Sequence, residues 1–130
     1  MRGKIKHTKR AQQINDFSGL NMGYNITPTD IDGLIEYRNQ KYVFFEVKYQ
    51  QAELPYGQRL ALERLVVDTA KSGKKSIAIV CEHDVKYTDE DVDVAIAKVR
   101  EVYSYRTRKW TMPAKYTTVT QLIQMFIEMV

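Results

Sequence analysis

Residues 29–48 read TDIDGLIEYRNQKYVFFEVK, and this stretch decides the expected fold. Two β-prone runs, 31–37 and 41–49, flank a polar segment that is typical of a hairpin turn. In an extended strand the side chains at positions i and i+2 lie on one face, so Glu46 and Lys48 project together. If the two runs pair, an aspartate at the start of the first run and Glu46 meet at one end of the sheet.

This combination of residues suits metal-assisted hydrolysis of a phosphodiester. Two carboxylates can hold a hard divalent cation such as Mg²⁺ through oxygen. A neighbouring ammonium, here that of Lys48, can stabilise the charge that develops on a phosphate or orient a water. The upstream carboxylate is Asp32 or Asp30, which are two residues apart and share a face if the segment is extended.

An aspartate, an apolar strand and then Glu-x-Lys resemble the PD-(D/E)XK nuclease superfamily, which includes restriction endonucleases and Holliday junction resolvases. The residues that carry the resemblance are 28–32, Glu46-Val47-Lys48 and Gly57-Gln58, within a core of residues 24–81. The resemblance implies an α/β (α+β) fold, with a restriction-endonuclease-like mixed central sheet flanked by helices. The chain looks like a small phage or prophage nuclease of this superfamily.

The resemblance also implies the roles of the site residues. Asp32 is the preferred first ligand, because it directly precedes Gly33 at the position where resolvase-like members carry their aspartate. Asp30 is a second ligand, a water-mediated contact or a cap. Glu46 and the backbone carbonyl of Val47 complete the protein's contribution to a site for Mg²⁺ (or Mn²⁺), with one metal ion or two.

Lys48 and Gln58 are the remaining candidate catalytic residues. The resemblance makes Lys48 the catalytic lysine, and the alternative is a salt bridge to Glu46 or Asp32 with no chemistry. Gln58 follows Gly57 at a helix start, where it can hold the water or a phosphate oxygen. The alternative is an ordinary exposed helix residue. Glu-x-Lys alone is a weak motif, and a solvated charge pattern is its non-functional interpretation.

Apolar spacing predicts the remaining elements. Residues 58–72 are expected to form a helix that ends at Gly73, and 76–81 a buried strand parallel to a neighbour. After these come an additional C-terminal β-hairpin and helix. The predicted elements outside this core are a helix at 9–19, a strand near 24–26, strands at 92–103 and 109–112, and a final helix that begins with the capping box 118–121.

The charge distribution suits an anionic polymer. Segments 1–10 and 98–115 each carry a net charge of +5, so the remainder carries −6 against a total of +4. Basic ends around an acidic middle suit DNA that is held by the flanks and cut at the centre. The alternative is a solvated surface, with residues 1–8 as a disordered basic tail. The candidate DNA-binding residues are Lys9, Arg10, Arg100, Arg106, Arg108 and Lys109.

Aromatic residues interleave with these basic positions in the C-terminal hairpin. They are Tyr103, Tyr105, Trp110 and Tyr116. Aromatic rings among arginines can stack on bases. About half of these rings are instead expected to pack in the core or at the sheet edge.

Length and composition restrict the protein class. The 130 residues fit one domain, and the single cysteine, Cys81, excludes an intrachain disulfide and fits a reducing cytoplasm. No run of 18 apolar residues occurs, so no membrane span is expected. The expected location is the cytoplasm of a bacterial host. The apolar stripe of the last helix is expected to be core, with a homodimer surface as the alternative.

The sequence thus predicts a metal-dependent endodeoxyribonuclease, with branched DNA such as a Holliday junction as a candidate substrate. Two alternatives remain open. One is a catalytically silent nucleic-acid-binding module of the same fold, and the other is a phage structural or assembly protein.

Overall fold

The computed structural model describes residues 3–6, 8–25, 28–29 and 31–130. The strands are Gly33–Tyr37 (β1), Lys41–Tyr49 (β2), Lys75–His83 (β3), Lys98–Ser104 (β4) and Trp110–Thr111 (β5). The α-helices are Thr8–Ala11 (α1), Tyr56–Lys71 (α2) and Val119–Glu128 (α3), and short 3₁₀ helices span Ser18–Leu20 and Val94–Ile96. No helix in these described ranges has both the length and the apolar character needed to cross a membrane.

The five strands form one mixed sheet in the order β1-β2-β3-β4-β5, and all neighbours are antiparallel except β2 and β3. Helix α2 packs on one face of the sheet and α3 on the other. The prediction of a mixed central sheet flanked by helices, with an additional C-terminal hairpin and helix, is therefore confirmed.

The β1–β2 hairpin closes through a tight turn. Tyr37 lies opposite Lys41, and the Gln40 N–H donates to the carbonyl of Tyr37 at 2.9 Å. Arg38 and Asn39 between them both adopt left-handed backbone conformations, with φ of 51° and 56°. Two consecutive left-handed residues make a type I′ turn, whose twist matches that of paired strands. The predicted hairpin and its antiparallel pairing are confirmed.

The centre of the molecule is a β2–α2–β3 crossover. Strands β2 and β3 pair in parallel over nine residues, from Lys41 opposite Lys75 to Tyr49 opposite His83. Residues 76–81 are all buried, as is typical of a parallel strand that is covered on both faces. The predicted buried strand and its parallel pairing are thus confirmed.

Alternate residues of the central strands divide between two apolar clusters. On one face Val43 and Ile79 pack in a cluster that includes Phe126 of α3. On the other face Phe44 packs in a cluster that includes Leu62 of α2. This division follows from the two-residue period of a strand. It determines which side chains of β2 can meet α2.

Lys41 is a buried cation that ties β2 to the end of α3. Its side chain is 6% exposed, and Nζ donates to the carbonyls of Phe126 at 2.7 Å and Ile127 at 2.9 Å, as well as to that of Met129. The last carbonyls of a helix lack intrahelical partners, and a positive charge is favourable there. Lys41 therefore caps α3 from the sheet.

The N-terminal predictions are wrong in extent. The helix expected over 9–19 is confined to Thr8–Ala11, and Ile14 and Phe17 are 73% and 43% exposed. Short helices are marginal in water unless an apolar face is packed, and these side chains find little packing. In the strand expected near 24–26, Tyr24 and Asn25 lie in a turn, while position 26 is outside the described residues.

The predicted C-terminal hairpin and helix are present, but both strands are shorter than expected, and the strand expected over 109–112 spans only Trp110–Thr111. The strand expected over 92–103 begins at Lys98, because the side chain of Asp93 accepts a hydrogen bond from the Ala95 N–H and caps the short helix Val94–Ile96. The capping box of α3 is formed by Thr118 and Gln121, each side chain accepting from the other residue's backbone N–H.

We expect Lys41→Met to lower the free energy of unfolding by roughly 2–3 kcal/mol, because it removes a charged donor from the buried end of α3. Urea unfolding followed by circular dichroism measures this change. Lys71→Met, at an exposed position in the last turn of α2, is the control and should change stability by less than about 0.5 kcal/mol. Equal stability of the two variants would contradict the capping role.

Candidate functional site

The Glu-x-Lys motif lies at the carboxyl end of β2, on the face that α2 covers. Glu46 and Lys48 continue the row of side chains that begins with Tyr42 and Phe44. Phe44 belongs to the cluster under α2, so the row passes from apolar to charged just where α2 begins. The carboxylate of Glu46 is nearly buried, with 5% of its side chain exposed, and Lys48 is 17% exposed.

Lys48 links the strand to the helix. Its Nζ lies 3.6 Å from Oε1 of Glu46 and donates a hydrogen bond to Oε1 of Gln58 at 3.3 Å. A buried carboxylate is costly unless it is paired and hydrogen-bonded, and Lys48 supplies the opposite charge. The salt bridge expected as the non-catalytic role of Lys48 is therefore present. Gln58 is half-buried and points toward the motif, as its candidate role requires.

Asp32 precedes β1 and reaches across to β2. Its Oδ2 accepts a hydrogen bond from the Val47 N–H at 2.7 Å. In a strand the N–H and C=O of one residue face the same neighbour, so the Val47 carbonyl also faces the Asp32 side. Gly33 opposite Phe45 is the last pair of the β1–β2 register, and one further step sets Asp32 opposite Glu46.

Gly33 is needed for this approach. A Cβ at this position would lie 2.0 Å from Cζ of Phe45, so the ring occupies the space that any other residue would fill. An aromatic ring over a strand glycine is a recognised way of fixing register. The glycine therefore helps to fix the start of β1, and with it the position of Asp32.

The buried thiol of Cys81 on β3 contacts the end of β2 that carries Glu46. Burial, together with the smaller effect of the negative charges of Asp32 and Glu46, raises the pKa of the thiol from the ordinary value of 9.0 to about 12. Its Sγ donates to the Glu46 carbonyl at 3.6 Å. The thiol is therefore protonated at neutral pH.

These groups suit a hard metal ion by their chemistry. The carboxylates of Asp32 and Glu46 and the carbonyl of Val47 are oxygen donors of the kind that Mg²⁺ prefers. Asp30, the further candidate ligand, lies outside the described residues. Within the described ranges no group of three or more His, Cys, Asp or Glu side chains is placed to hold a metal. A site on Asp32 and Glu46 would take its other ligands from Val47, water and substrate.

Arg100, a predicted DNA contact, is engaged within the protein. Its guanidinium donates to the carbonyls of Gln50 and Ala52, both at 2.7 Å, and to Oε1 of Glu82 at 3.3 Å. Gln50 has a left-handed backbone, with φ of 49°, where the chain leaves β2. Arg100 therefore fixes the loop that joins Lys48 to α2.

The other predicted DNA contacts lie elsewhere. Arg106, Arg108 and Lys109 are exposed at the tip of the β4–β5 hairpin, which adjoins the start of β3 and not its end. Lys9 and Arg10 are exposed on α1. The tip of the β4–β5 hairpin is therefore at the opposite end of the sheet from the Glu-x-Lys motif.

The aromatic residues of the C-terminal hairpin divide as expected. Tyr103 is buried, with its ring centroid 5.3 Å from that of Trp110. Tyr116 is 67% exposed, and its ring lies beneath the ammonium of Lys98. Part of the set therefore packs, and part faces solvent.

One network was not predicted from the sequence. Arg59 of α2 makes two hydrogen bonds to the carboxylate of Glu101, at 3.1 and 2.7 Å, and its guanidinium carbon lies 4.6 Å from the centroid of Trp110. The indole N–H of Trp110 donates to Glu63 at 2.8 Å. The two hydrogen bonds raise the pKa of Arg59. The only sequence signal was an Arg and a Glu at helical spacing on α2, which many solvated helices share.

Comparisons of the chain with protein-family models, with curated proteins and with solved structures return no match. The resemblance to the nuclease superfamily therefore depends on the motif residues themselves.

We expect Arg100→Gln to loosen the loop 50–55 and to lower the free energy of unfolding by roughly 1–3 kcal/mol, because it removes charged donors from two backbone carbonyls. Limited proteolysis and urea unfolding measure both effects. Arg64→Gln, on the exposed side of α2, is the matched control. If the two variants are cleaved and unfold alike, the role of Arg100 in the loop is refuted.

A second prediction concerns pH. The unfolded chain releases the Cys81 proton near its ordinary pKa of 9.0, whereas the folded protein retains it until about pH 12. The contribution of the protonated thiol to the free energy of unfolding is therefore fully present below about pH 9. It is lost as the pH rises toward 12, by up to about 1.4 kcal/mol per pH unit. Cys81→Ala should flatten the unfolding free energy over this range, and urea unfolding at several pH values tests this. Parallel profiles would contradict it.

Proposed function

We propose that the protein is a metal-dependent endodeoxyribonuclease that hydrolyses DNA phosphodiester bonds. The observation that carries the proposal is the meeting of Asp32, Glu46, Lys48 and Gln58 at the carboxyl end of β2. Two carboxylates, an ammonium and an amide at one end of a strand are a set of groups that phosphodiester hydrolysis can use.

The residues of the candidate site would have two kinds of role, metal binding and contact with the water or phosphate. Asp32, Glu46 and the Val47 carbonyl would hold Mg²⁺ or Mn²⁺, which when bound supplies polarisation of the phosphate and activation of the water. Asp32 also fixes the backbone at Val47 through the 2.7 Å hydrogen bond. Lys48 orients the attacking water and stabilises charge on the phosphate oxygens. Gln58 holds Lys48 in place and can contact the water.

The reaction is an in-line attack of water on phosphorus. The bond from phosphorus to the 3′ oxygen breaks, that oxygen takes up a proton, and the products are a 5′-phosphate and a 3′-hydroxyl. Lys48 is suited to contact both the water and the phosphate, since its ammonium reaches toward Glu46 on one side and toward the start of α2 on the other. This assignment of products follows the superfamily resemblance.

Branched DNA in a phage-infected bacterial cytoplasm is the setting that we propose. Cutting a four-way junction symmetrically requires two sites related by a two-fold axis, so this substrate also requires a homodimer. A general endonuclease would need only one chain. The substrate preference therefore predicts the oligomeric state.

A catalytically silent nucleic-acid-binding module is the second candidate. It is favoured by the closed arrangement of Lys48, whose ammonium already contacts both Glu46 and Gln58. An ion pair of this kind can serve the fold alone. Under this alternative, DNA binding would occur without turnover.

The test is cleavage of duplex, single-stranded, flap and four-way-junction DNA with Mg²⁺, Mn²⁺ or chelator. We expect metal-dependent cutting that Glu46→Gln lowers by at least about 100-fold, because a neutral amide cannot replace the carboxylate. Glu90→Gln, in an exposed loop, removes the same charge elsewhere and should keep activity. DNA binding without cutting under any of these conditions would favour the silent module.

Lys48 has its own test. Lys48→Ala should lower the cleavage rate by about 10²–10³-fold, because it removes the positive charge beside the scissile phosphate. Thermal unfolding of the variant separates this loss from loss of folding. Near-normal cleavage together with reduced stability would show that Lys48 serves only the salt bridge.

A further inference from the structure

The end of the sheet opposite the candidate site gathers three segments that are distant in sequence. These are the β1–β2 turn at 38–41, the α2–β3 connection at 71–75 and the β4–β5 hairpin tip at 106–109. The register places Lys41 beside Lys75. The Lys74 ammonium donates to the Asn39 carbonyl at 2.6 Å, so the first two segments are in contact.

The hairpin tip joins them through β3. The Tyr105 N–H donates to the carbonyl of Ser76 at 3.0 Å, and the Arg108 N–H closes the tip on the carbonyl of Ser104 at 2.8 Å. Residues 106–109, which follow β4 in the chain, therefore lie next to the start of β3. The three segments form one continuous surface, which we call the basic end.

The segments of the basic end are rich in cations, and the adjoining carboxylate of Glu36 accepts a hydrogen bond from the Asn39 N–H in the turn. The three segments themselves contain no Asp or Glu. Apart from Lys41, which is buried beneath α3, the cations are Arg38, Lys71, Lys74, Lys75, Arg106, Arg108 and Lys109. Within the described part of the chain, the ion pairs with carboxylates involve other residues. These seven charges are therefore not neutralised by carboxylates there.

The end of the sheet that carries the candidate site is, in contrast, rich in negative charge. The segment 82–93, which begins at the end of β3, carries six acids and one lysine. The ammonium of Lys4 lies 3.8 Å from the carboxylate of Asp91 in this segment. The molecule is thus polarised along β2 and β3, with the carboxylates at one end and the basic end at the other.

We propose that the basic end binds the phosphate backbone of nucleic acid, and that this surface is separate from the site of hydrolysis. From the β1–β2 turn to β4 the cations cross at least two strand spacings, about 10 Å. One strand of a duplex rises about 3.4 Å per phosphate, so the row matches about three successive phosphates. A single small anion would occupy only part of it.

The distance between the basic end and the candidate site sets the length of duplex that can contact both. Five residues of β2 separate Lys41 from Glu46, which is about 17 Å along the strand. At about 3.4 Å per phosphate, this is roughly five base pairs of duplex. If the protein is the nuclease proposed above, on which this inference rests, the DNA must extend about five base pairs from the scissile phosphate to reach the basic end.

Binding is tested without catalysis, with wild-type protein, a labelled 20-base-pair duplex and EDTA at several salt concentrations. The variant Arg38→Gln/Lys75→Gln/Arg108→Gln removes one charge from each segment. We expect about tenfold weaker binding, and a slope of log K against log salt that is shallower by about 0.9 for each phosphate that the variant no longer neutralises. The matched control, Lys86→Gln/Lys98→Gln/Lys115→Gln, removes three exposed charges outside the basic end and should bind like wild type.

The outcomes separate this proposal from the proposed function. Weaker binding by the first variant alone supports the basic end, even if the wild type never cuts DNA. The proposal is overturned by equal binding of both variants to duplex, by a larger loss in the control, by no salt-sensitive DNA binding in wild type, or by binding only to vesicles with anionic lipid. Circular dichroism confirms that both variants are folded.

If cutting occurs, arm length provides a second measurement. Shortening the duplex on one side of the cleavage point from about ten to about three base pairs should raise KM about tenfold for wild type, with little change in kcat. The basic-end variant binds that arm weakly from the outset and should show a smaller rise. An equal rise in both proteins would overturn the placement of the DNA arm on the basic end.

Discussion

The parallel pairing of β2 with β3 is the constraint on which the rest of the structure depends. Because parallel neighbours need a crossover, the chain must leave β2 at Tyr49 and pass through α2 before it returns at Lys75. That path brings Gln58 over Lys48 at one end and sets Lys75 beside Lys41 at the other. The same nine-residue pairing therefore fixes the carboxylate end and the basic end of the molecule. Neither end could move without breaking the buried centre of the sheet.

The polar groups at the carboxyl end of β2 carry a cost in stability. Glu46 continues a row of apolar side chains, and a buried ion pair is on balance weak support for a fold, since apolar residues of similar size often do as well or better. Asp32, too, is used to hold the Val47 backbone where an ordinary strand partner would suffice. Arg100, in contrast, stabilises the adjacent loop by donating to the carbonyl of Gln50, where the backbone is left-handed. This concentration of polar groups at one end of β2 is the basis of the proposed site.

The sequence predicted the centre of the fold better than its ends. The runs 41–49 and 76–81 carry enough β-branched and aromatic residues to define strands, and the turn between 31–37 and 41–49 could be recognised by composition. Residues 9–19 had the spacing of a helix but found too little apolar surface to pack on, which no local pattern reveals. Arg100 was assigned to DNA on charge alone, and its carbonyl partners arise only from tertiary structure. The basic end could not be predicted for the same reason, because its segments meet only through strand pairing.

The separation of charge has a consequence for how such a protein would act on a polyanion. At physiological salt the Debye length is about 8 Å, whereas the two ends of β2 lie about 17 Å apart. Attraction at the basic end is therefore largely screened at Glu46, where the acidic segment 82–93 would repel phosphate. A phosphate could approach that site only if a cation offset the carboxylates. Binding and hydrolysis would thus respond to different ions, monovalent salt at the basic end and a divalent metal at the carboxylates.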